Sequence, residues 1–226
     1  MTPVCHVFGA GPSPACPPKI AKGDRVIAAD GGYLYTQSIG IRADTLIGDF
    51  DSLEYTCERE KGGPIVIRLP KEKDRTDTHA ALAYGLEQGF TRFHIYGGVG
   101  GRLDHTLANI QCLAFLLNHG ARGYLHGEDT VATAVRAPLR LVARKSGVIS
   151  VFALCGPAEG VRLRGLKYEL ENAELTGDFP LGVSNEFTGR PVYIEAKKGD
   201  LLIIYPAGTT ETEDDELLHA EVVERP

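Results

Sequence analysis

Apolar runs alternate with amphipathic segments along the first half of the chain. The apolar runs predict strands, and segments with apolar residues at helical spacing predict helices between them. The predicted strands are residues 4–8, 25–29, 45–47, 65–67 and 93–96, and the predicted helices are residues 33–39, 53–61, 78–86 and 106–118. Strands that alternate with helices predict a mostly parallel sheet with helices on both faces. The run 65–67 is entirely apolar, which predicts a strand covered on both faces.

After about Glu128 the pattern changes to short β-rich runs that are separated by glycine, proline and charged turns. The predicted strands are residues 130–135, 139–142, 148–154, 160–164, 171–175, 192–196 and 201–205. Short strands without a convincing helix predict an antiparallel β-sandwich. We therefore expect an α/β domain over residues 1–128, a β-sandwich over residues 129–206 and an acidic tail over residues 207–226.

Composition narrows the class of protein. The chain has 226 residues, of which 43% are hydrophobic and 24% charged, as in ordinary globular proteins. Its net charge of −6 argues against a general nucleic-acid binder, although a few local groups can still hold a nucleotide. The five cysteines include no C-x-x-C pair, so neither zinc nor a redox dithiol is indicated. We find no secretion signal and no apolar run of about 18 residues, and we expect a cytoplasmic protein.

Two carboxylates flank one aromatic residue directly after the third predicted strand, in Gly48-Asp49-Phe50-Asp51-Ser52. On an extended backbone Asp49 and Asp51 would share one face, with Phe50 turned into the core. Neighbouring carboxylates repel unless a cation or a shared proton compensates them, and Mg²⁺ with its phosphates is the usual compensation. The alternative is a solvated turn, since Gly, Asp and Ser are common turn residues.

A loop of mixed charge precedes the helix predicted at residues 78–86. Thr76 or Asp74 can cap this helix, and Asp77 falls in its first turn, where the helix dipole favours anions. Capping alone does not require the three cations of the same loop, which are Lys71, Lys73 and Arg75. Acidic and basic side chains together suit a complex of a metal ion with a polyphosphate.

A glycine-rich loop, residues 97–101, follows the fifth predicted strand. Its four glycines predict backbone N–H groups wrapped around phosphate, with Arg102 pairing an oxygen and Asp104 on the metal ion. His105 could also contact phosphate. The alternative is a flexible loop capped by Asp104. At the end of the second strand, the Asp30-Gly31-Gly32 turn suits close approach of the backbone to a ligand.

These motifs, taken in order along the chain, resemble thiamine pyrophosphokinases. The segments that carry the resemblance are Ala29-Asp30-Gly31-Gly32, Gly48-Asp49-Phe50-Asp51-Ser52, Lys73-Asp74-Arg75-Thr76-Asp77, Gly101-Arg102-Leu103-Asp104-His105, Gly165-Leu166-Lys167-Tyr168, Leu170-Glu171-Asn172-Ala173 and Val183-Ser184-Asn185-Glu186-Phe187. Each segment is short, but seven in order form a specific signal. The chain departs from the family in a proline-rich segment after the first strand and in its acidic tail.

The resemblance implies that diphosphate is transferred from ATP to the hydroxyl of thiamine, giving thiamine diphosphate and AMP. It also implies a homodimer whose active site is shared between subunits. The acids expected to act in catalysis and to bind Mg²⁺ are Asp49, Asp51, Asp77 and Asp104, and Asp77 or Asp51 would orient the thiamine hydroxyl. The residues expected to bind ATP are Asp30, Gly31, Lys73, Asp74, Gly101, Arg102 and His105. Ser184 and Asn185 are expected to contact thiamine.

Two other functions are compatible with the same residues. An acidic cluster with a glycine-rich loop is sufficient for binding Mg²⁺ and a nucleotide, so a nucleotide or thiamine sensor without turnover is one alternative. A metal-dependent phosphohydrolase is the other.

Overall fold

The structure, a computed structural model, describes residues 2–12, 17–50, 63–72 and 74–212. The chain divides into two compact units, residues 1–129 and residues 130–226. The first unit contains, in order, β1 (Cys5–Phe8), β2 (Arg25–Ala29), α1 (Gly32–Ser38), β3 (Thr45–Gly48), β4 (Ile65–Arg68), α2 (Asp77–Glu87), β5 (Arg92–Tyr96), α3 (Leu103–Asn118) and β6 (Arg122–His126). None of the described helices combines the length and hydropathy needed to cross a membrane.

The strands of the first unit form a parallel sheet with the order β4-β3-β2-β1-β5-β6. Cys5 of the central strand β1 pairs with Arg25 on one side and with Phe93 on the other. Tyr35 of α1 packs against Phe8 of β1, whereas Gly85 of α2, the helix that contacts α3, lies against Cys5 of the same strand, which faces the opposite side of the sheet. This arrangement confirms the predicted parallel sheet with helices on both faces.

Two strands of this sheet differ from the sequence-based expectation. β6 was not predicted, because Gly123 interrupts its apolar pattern; a Cβ at Gly123 would lie 2.6 Å from Leu116 of α3. The prediction that residues 65–67 are covered on both faces is wrong. β4 is the edge strand of this sheet, and Ile65 is 53% exposed. The helix predicted at residues 53–61 lies outside the described residues.

The second unit is built from antiparallel strands. They are β7 (Thr130–Val135), β8 (Leu139–Leu141), β9 (Val148–Arg164), β10 (Leu170–Leu175), β11 (Asn185–Glu186), β12 (Val192–Glu195) and β13 (Lys198–Pro206). Their order is β7-β13-β9-β12-β8, and β10 and β11 also pair with β9. The predicted antiparallel class is confirmed, and the described part of this unit contains no helix.

One long strand, β9, takes the place of two strands predicted at residues 148–154 and 160–164. Its first half pairs with β13, and its second half pairs with β10 and β12. The halves meet at Cys155 and Gly156, which have φ angles of 61° and 154°. This left-handed backbone bends the strand, so a single strand contributes to two groups of β-strands.

Candidate active site

The loops that follow the central strands of the parallel sheet are joined by backbone hydrogen bonds. The Gly9 N–H donates to the Tyr96 carbonyl at 2.8 Å, and the Gly11 N–H donates to the Gly97 carbonyl at 2.9 Å. These loops follow β1 and β5, the neighbouring strands at which the direction of the strand order reverses. In sheets of this kind, ligands bind in the crevice beyond the carboxyl ends of those two strands.

Asp30 occupies a tight turn between the loops after β1 and β3. Its φ is 46°, and its N–H donates to the Ile47 carbonyl at 2.9 Å. A Cβ at Gly48 would lie 3.2 Å from the Asp30 Cα, and a Cβ at Gly31 would lie 2.9 Å from that of Ala10. The glycines at these two positions therefore allow three loops to pack closely and hold Asp30 at the crevice.

A cleft of about 470 Å³ opens at this edge of the sheet. The described charged and titratable residues that line it are Asp30, Lys71, Asp74, Arg75, Asp77 and His105. Four of them, Asp30, Asp74, Asp77 and His105, are among the predicted site residues. Lys71 and Arg75 belong to the basic loop noted in the sequence. The cleft thus combines carboxylates with cations, which is the combination that a metal-bound polyphosphate needs.

Helix α2 begins at the wall of this cleft. The Thr76 Oγ1 accepts the N–H of His79 at 3.1 Å, so Thr76, one of the two predicted candidates, is the cap. Asp77 is the first residue of the helix, where the helix dipole favours its negative charge. Because Thr76 provides the cap, Asp74 remains at the lining of the cleft.

Helix α3 holds the glycine-rich loop at two points. The Asn109 Nδ2 donates to the Gly98 carbonyl at 2.9 Å, and the Gly100 N–H donates to the Thr106 Oγ1 at 3.2 Å. Asn109 was not among the site residues predicted from the sequence. The feature of the sequence that could have revealed it is a polar amide on the apolar face of the predicted helix, since Asn109 is buried together with Leu113.

Arg102 and Asp104, which were predicted to bind phosphate and metal, form an exposed ion pair with each other. The Arg102 Nη2 lies 2.6 Å from the Asp104 Oδ2. Hydrogen bonding from Arg102 lowers the pKa of Asp104, and the same bond raises the pKa of Arg102. Gly101 is exposed next to them, with a φ of 63°. This pair lies at the start of α3, directly before His105 of the cleft.

The chain leaves the extended conformation immediately after β3. Asp49 is half-buried there, and Phe50 is buried in the core with a φ of 57°. The expectation of an extended backbone that places Asp49 and Asp51 on one face is therefore wrong at Phe50. The burial of Phe50 itself is confirmed. Asp51 and Lys73 lie outside the described residues.

The donor set suits a hard cation, although the described residues contain no ready-made group of three or more metal-binding side chains. Asp30, Asp74 and Asp77 supply carboxylate oxygens to one cleft. Mg²⁺ keeps several of its waters and needs only one or two protein carboxylates together with phosphate oxygens. The chemistry of these residues therefore fits Mg²⁺ bound together with a polyphosphate.

A second cleft, of about 840 Å³, borders the same loop on the side of α2 and α3. It shares Asp74, Arg75 and Thr76 with the first cleft. Its other wall includes Phe115, whose ring lies 4.3 Å from the ring of His79 between centroids. A space of this size with an aromatic wall suits a molecule that contains rings.

In the second unit, Asn185 is buried, and its amide is engaged by a neighbouring loop. Its Oδ1 accepts the N–H groups of Tyr168 and Glu186, each at 2.9 Å, and its Nδ2 donates to the Tyr168 carbonyl at 2.7 Å. Ser184 is exposed with a φ of 58°, and its N–H donates to the Ser150 Oγ at 3.1 Å. The two predicted thiamine-binding residues therefore differ: Ser184 is exposed, whereas the amide of Asn185 holds the backbone of Tyr168 in place.

Large apolar side chains are exposed around this pair. Tyr168, Leu181 and Val183 line a pocket of about 200 Å³ together with Asn185, and all three also reach solvent. Phe179, also in this segment, is 63% exposed. Exposed apolar side chains that line one pocket are a common feature of surfaces that bind a ligand or another protein.

The described residues thus combine a parallel sheet, with acids and bases at its carboxyl edge, and a unit of antiparallel strands, an architecture that suits an enzyme acting on a phosphorylated substrate. Comparison with known proteins gives the family. Residues 18–125 match the model of the thiamin pyrophosphokinase catalytic domain, and residues 139–201 match the model of the thiamin pyrophosphokinase vitamin B1 binding domain. The chain belongs to the thiamine pyrophosphokinase family and is an enzyme.

Individual relatives agree with this assignment. The thiamine pyrophosphokinase of Bacillus subtilis is 29% identical over 198 residues, which cover 79% of this chain and 85% of the relative. Its crystal structure superposes with a TM-score of 0.80 at 25% identity, covering 91% of this chain and 99% of that one. A family member from Enterococcus faecalis gives a TM-score of 0.76 at 26% identity, with the same coverage of 91% and 99%.

Proposed function

We propose that the protein transfers diphosphate from ATP to the hydroxyl of thiamine, producing thiamine diphosphate and AMP in a reaction that requires Mg²⁺. The observation that carries this proposal is the single cleft in which Asp30, Asp74 and Asp77 face Lys71 and Arg75. Membership of the thiamine pyrophosphokinase family supports the acceptor and the product. The mixture of acids and bases supports a donor that brings both phosphates and a cation.

Residues of the α/β unit would hold the donor. In our proposal Lys71 and Arg75, with Lys73 beside them in sequence, offset the negative charge of the phosphates. Asp30 and Gly31 lie against the nucleotide, and the N–H groups of the glycine-rich loop bind phosphate oxygens. The glycine-rich loop is held by the Gly11 N–H and by Asn109 before the substrate arrives, and preorganised groups of this kind lower the barrier of such a transfer.

The acids would provide the metal site. We propose that Asp77 binds Mg²⁺, with contributions from Asp49, Asp51 and Asp104. Bound there, Mg²⁺ supplies positive charge that offsets the charge on the transferred diphosphate and on the departing AMP. Asp104 would exchange its bond with Arg102 for the metal, which releases the Arg102 guanidinium for a phosphate oxygen next to His105. Asp74 would remain beside the nucleotide phosphates.

The acceptor needs a place next to the phosphates, since an in-line transfer requires contact between the hydroxyl and the β-phosphorus. The second cleft supports such a place, because the wall formed by Asp74, Arg75 and Thr76 belongs to both clefts. We propose that thiamine enters there, with Asp77 or Asp51 orienting its hydroxyl.

Thiamine would also contact the second unit, at Ser184 and Asn185, and we propose that these residues come from the partner subunit of a homodimer. Exposed apolar surface supports this arrangement. Leu103 and Leu107 are exposed at the start of α3, and Tyr168 and Phe179 are exposed in the second unit. Burial of such side chains between subunits is a common driving force for dimer formation.

Product identification tests the reaction. The protein is incubated with ATP, thiamine and Mg²⁺, and nucleotides and thiamine esters are separated by chromatography. We expect equal amounts of AMP and thiamine diphosphate, and no reaction when Mg²⁺ is removed by a chelator. Asp77→Asn should lower turnover by about 10²–10³, the typical loss for one preorganised charge-stabilising group. Asp129→Asn, at an exposed position of the same unit, is the matched control.

Three results would contradict the proposal. ADP as the sole nucleotide product would indicate a kinase that transfers one phosphoryl group. Inorganic phosphate released without any need for thiamine would indicate a phosphohydrolase. Binding of ATP and thiamine without product over a long incubation would indicate a sensor.

A further inference from the structure

We propose that Asn109 is a positioning residue that holds the glycine-rich loop in the shape needed for its backbone N–H groups to bind nucleotide phosphates. The inference rests on the proposed function, because it assigns phosphate binding to that loop. It adds a residue of helix α3 that lies outside the cleft lining. Asn109 would act through the loop and would not touch the substrate.

Three successive backbone carbonyls at the end of β5 each accept a hydrogen bond from another part of the first unit. The Tyr96 carbonyl accepts the Gly9 N–H at 2.8 Å, and the Gly97 carbonyl accepts the Gly11 N–H at 2.9 Å. The third, that of Gly98, accepts the side-chain Nδ2 of Asn109 at 2.9 Å. Two of these bonds are between backbone groups, whereas the third comes from a side chain that a substitution can remove.

The hydrogen bond from Asn109 to the Gly98 carbonyl sets the direction of the N–H in the same peptide. In a planar trans peptide the C=O and the N–H point in opposite directions. Because Asn109 draws the Gly98 carbonyl towards α3, the N–H of Val99 in the same peptide is directed away from α3. The next N–H, that of Gly100, donates to the Thr106 Oγ1 at 3.2 Å. The two contacts from α3 therefore determine which N–H groups the loop offers on its outer side.

The glycine-rich loop packs directly against Asn109 and Leu125. A Cβ at Gly98 would lie 3.0 Å from the Asn109 Nδ2 and 2.7 Å from the Leu125 Cδ1. Asn109 itself is only 5% exposed. Burial of an amide costs free energy unless its hydrogen bonds are made, and an apolar residue would fill this position of the helix without that cost. An amide at this position is therefore explained by the bond that it makes to the loop.

Two variants and a matched control test the role. Asn109→Leu removes the donor but keeps the number and branching of the side-chain heavy atoms, and Asn109→Asp replaces it with a group that donates only when protonated. Asn118→Asp makes the same change at the exposed end of α3. We expect Asn109→Leu to weaken equilibrium binding of ATP and to raise the KM for ATP about tenfold, as for the loss of about 1.4 kcal/mol. The KM for thiamine and the kcat should change much less.

The pH dependence separates positioning from general damage to the fold. Burial raises the pKa of a carboxyl group, so we expect a buried Asp at this position to take up a proton at a pH well above its usual range. Once protonated, it can donate to the Gly98 carbonyl as the amide does. The affinity of Asn109→Asp for ATP, relative to the wild type, should therefore recover as the pH falls from about 8 to about 6. Asn118→Asp should show no such recovery.

Hydrogen exchange of the nucleotide-free protein tests whether Asn109 holds the glycine-rich loop in place. In Asn109→Leu the amides of Gly11 and Gly100 should exchange faster than in the wild type, while amides at the centre of α3 keep their protection. Unchanged exchange of these two amides overturns the inference, as does unchanged ATP affinity in a folded Asn109→Leu. If the wild type neither binds nor uses ATP, the proposed phosphate donor is wrong. Faster exchange of the loop in Asn109→Leu would still show that Asn109 holds the loop.

Discussion

At the scale of single residues, three imidazole rings form a cluster on one face of the parallel sheet, with His6 buried and His94 and His126 half-buried. The His94 Nδ1 and the His126 Nε2 are hydrogen-bonded at 2.8 Å, and the rings of His6 and His94 lie 5.7 Å apart between centroids. The His6 Nε2 lies 3.2 Å from the Asp24 Oδ2, and its Nδ1 lies 3.4 Å from the Tyr96 hydroxyl. Burial lowers the pKa of all three, to about 3 for His94 and about 4 for His126.

This histidine cluster makes stability dependent on pH. An imidazole in the unfolded chain has a pKa of about 6.5, well above the folded values of His94 and His126, so below that pH the unfolded chain binds protons that these two residues do not bind in the folded protein. We expect the free energy of unfolding to fall as the pH drops from about 6.5 to about 4, by up to about 1.4 kcal/mol per pH unit for each histidine. Arg92 adds to this effect at His94, whereas Asp24 opposes it.

Urea denaturation at several pH values measures this slope. His126→Asn removes one imidazole and should make the profile less steep between pH 6.5 and 4, even if its stability at neutral pH is lower. An equally steep profile in the variant would show that other groups cause the acid sensitivity.

At the scale of elements, Gly85 in the middle of α2 allows the helix to pack closely on the sheet. A Cβ there would lie 2.6 Å from the Phe93 Cε1 and 3.0 Å from the Cys5 Sγ, both of which belong to buried core residues. In a solvent-exposed helix, Gly→Ala is stabilising by about 1 kcal/mol. At this position we expect Gly85→Ala to be destabilising by about 1–3 kcal/mol, the usual range for an overpacked core.

Thermal or urea denaturation of the purified variant tests this expectation. Gly177→Ala is the control, because its added methyl group would meet nothing within 4 Å. A Gly85→Ala protein as stable as the wild type would show that α2 can shift away from β1 and β5.

Contacts between elements also explain which strands could be predicted from the sequence and which could not. Periodicity located most strands and helices of the first unit, since their apolar faces follow regular spacings. It missed β6, whose Gly123 is required by the approach of Leu116, a contact between elements that no local pattern reveals. It also divided β9, because the bend at Gly156 resembles the end of a strand.

The candidate site was predictable to a similar degree. Acids and bases near strand ends were identifiable by type, and the cleft brings Asp30, Asp74, Asp77 and His105 together. The pairing of Arg102 with Asp104 and the hydrogen bond of Asn109 depend on three-dimensional geometry. The left-handed conformation of Phe50 was likewise invisible, because nonglycine residues rarely adopt it.

At the scale of the whole molecule, the proposed dimer predicts that two inactive variants restore activity when mixed. Asp77→Asn disables the α/β unit, and Asn185→Ala disables the second unit. A mixed dimer would hold one complete site, formed by the α/β unit of one subunit and the second unit of the other. Random exchange in an equal mixture should recover about a quarter of the wild-type activity, because half of the dimers are mixed and each has one working site of two.

The measurement is the rate of thiamine diphosphate formation after the two variants are denatured and refolded together. Each variant refolded alone is the control. A mixture that remains as inactive as the separate variants would place each complete site within a single chain.

The strand order has a consequence for the growing polypeptide. β1 is made first among the strands but occupies the middle of its sheet, and its partner on one side is β5, since Cys5 pairs with Phe93. While the ribosome is still translating α2, one edge of β1 has no strand to pair with, and unpaired strand edges promote aggregation. A translational pause before β5 has emerged would therefore prolong the exposure of this edge, and a chaperone that covers it would protect the nascent enzyme.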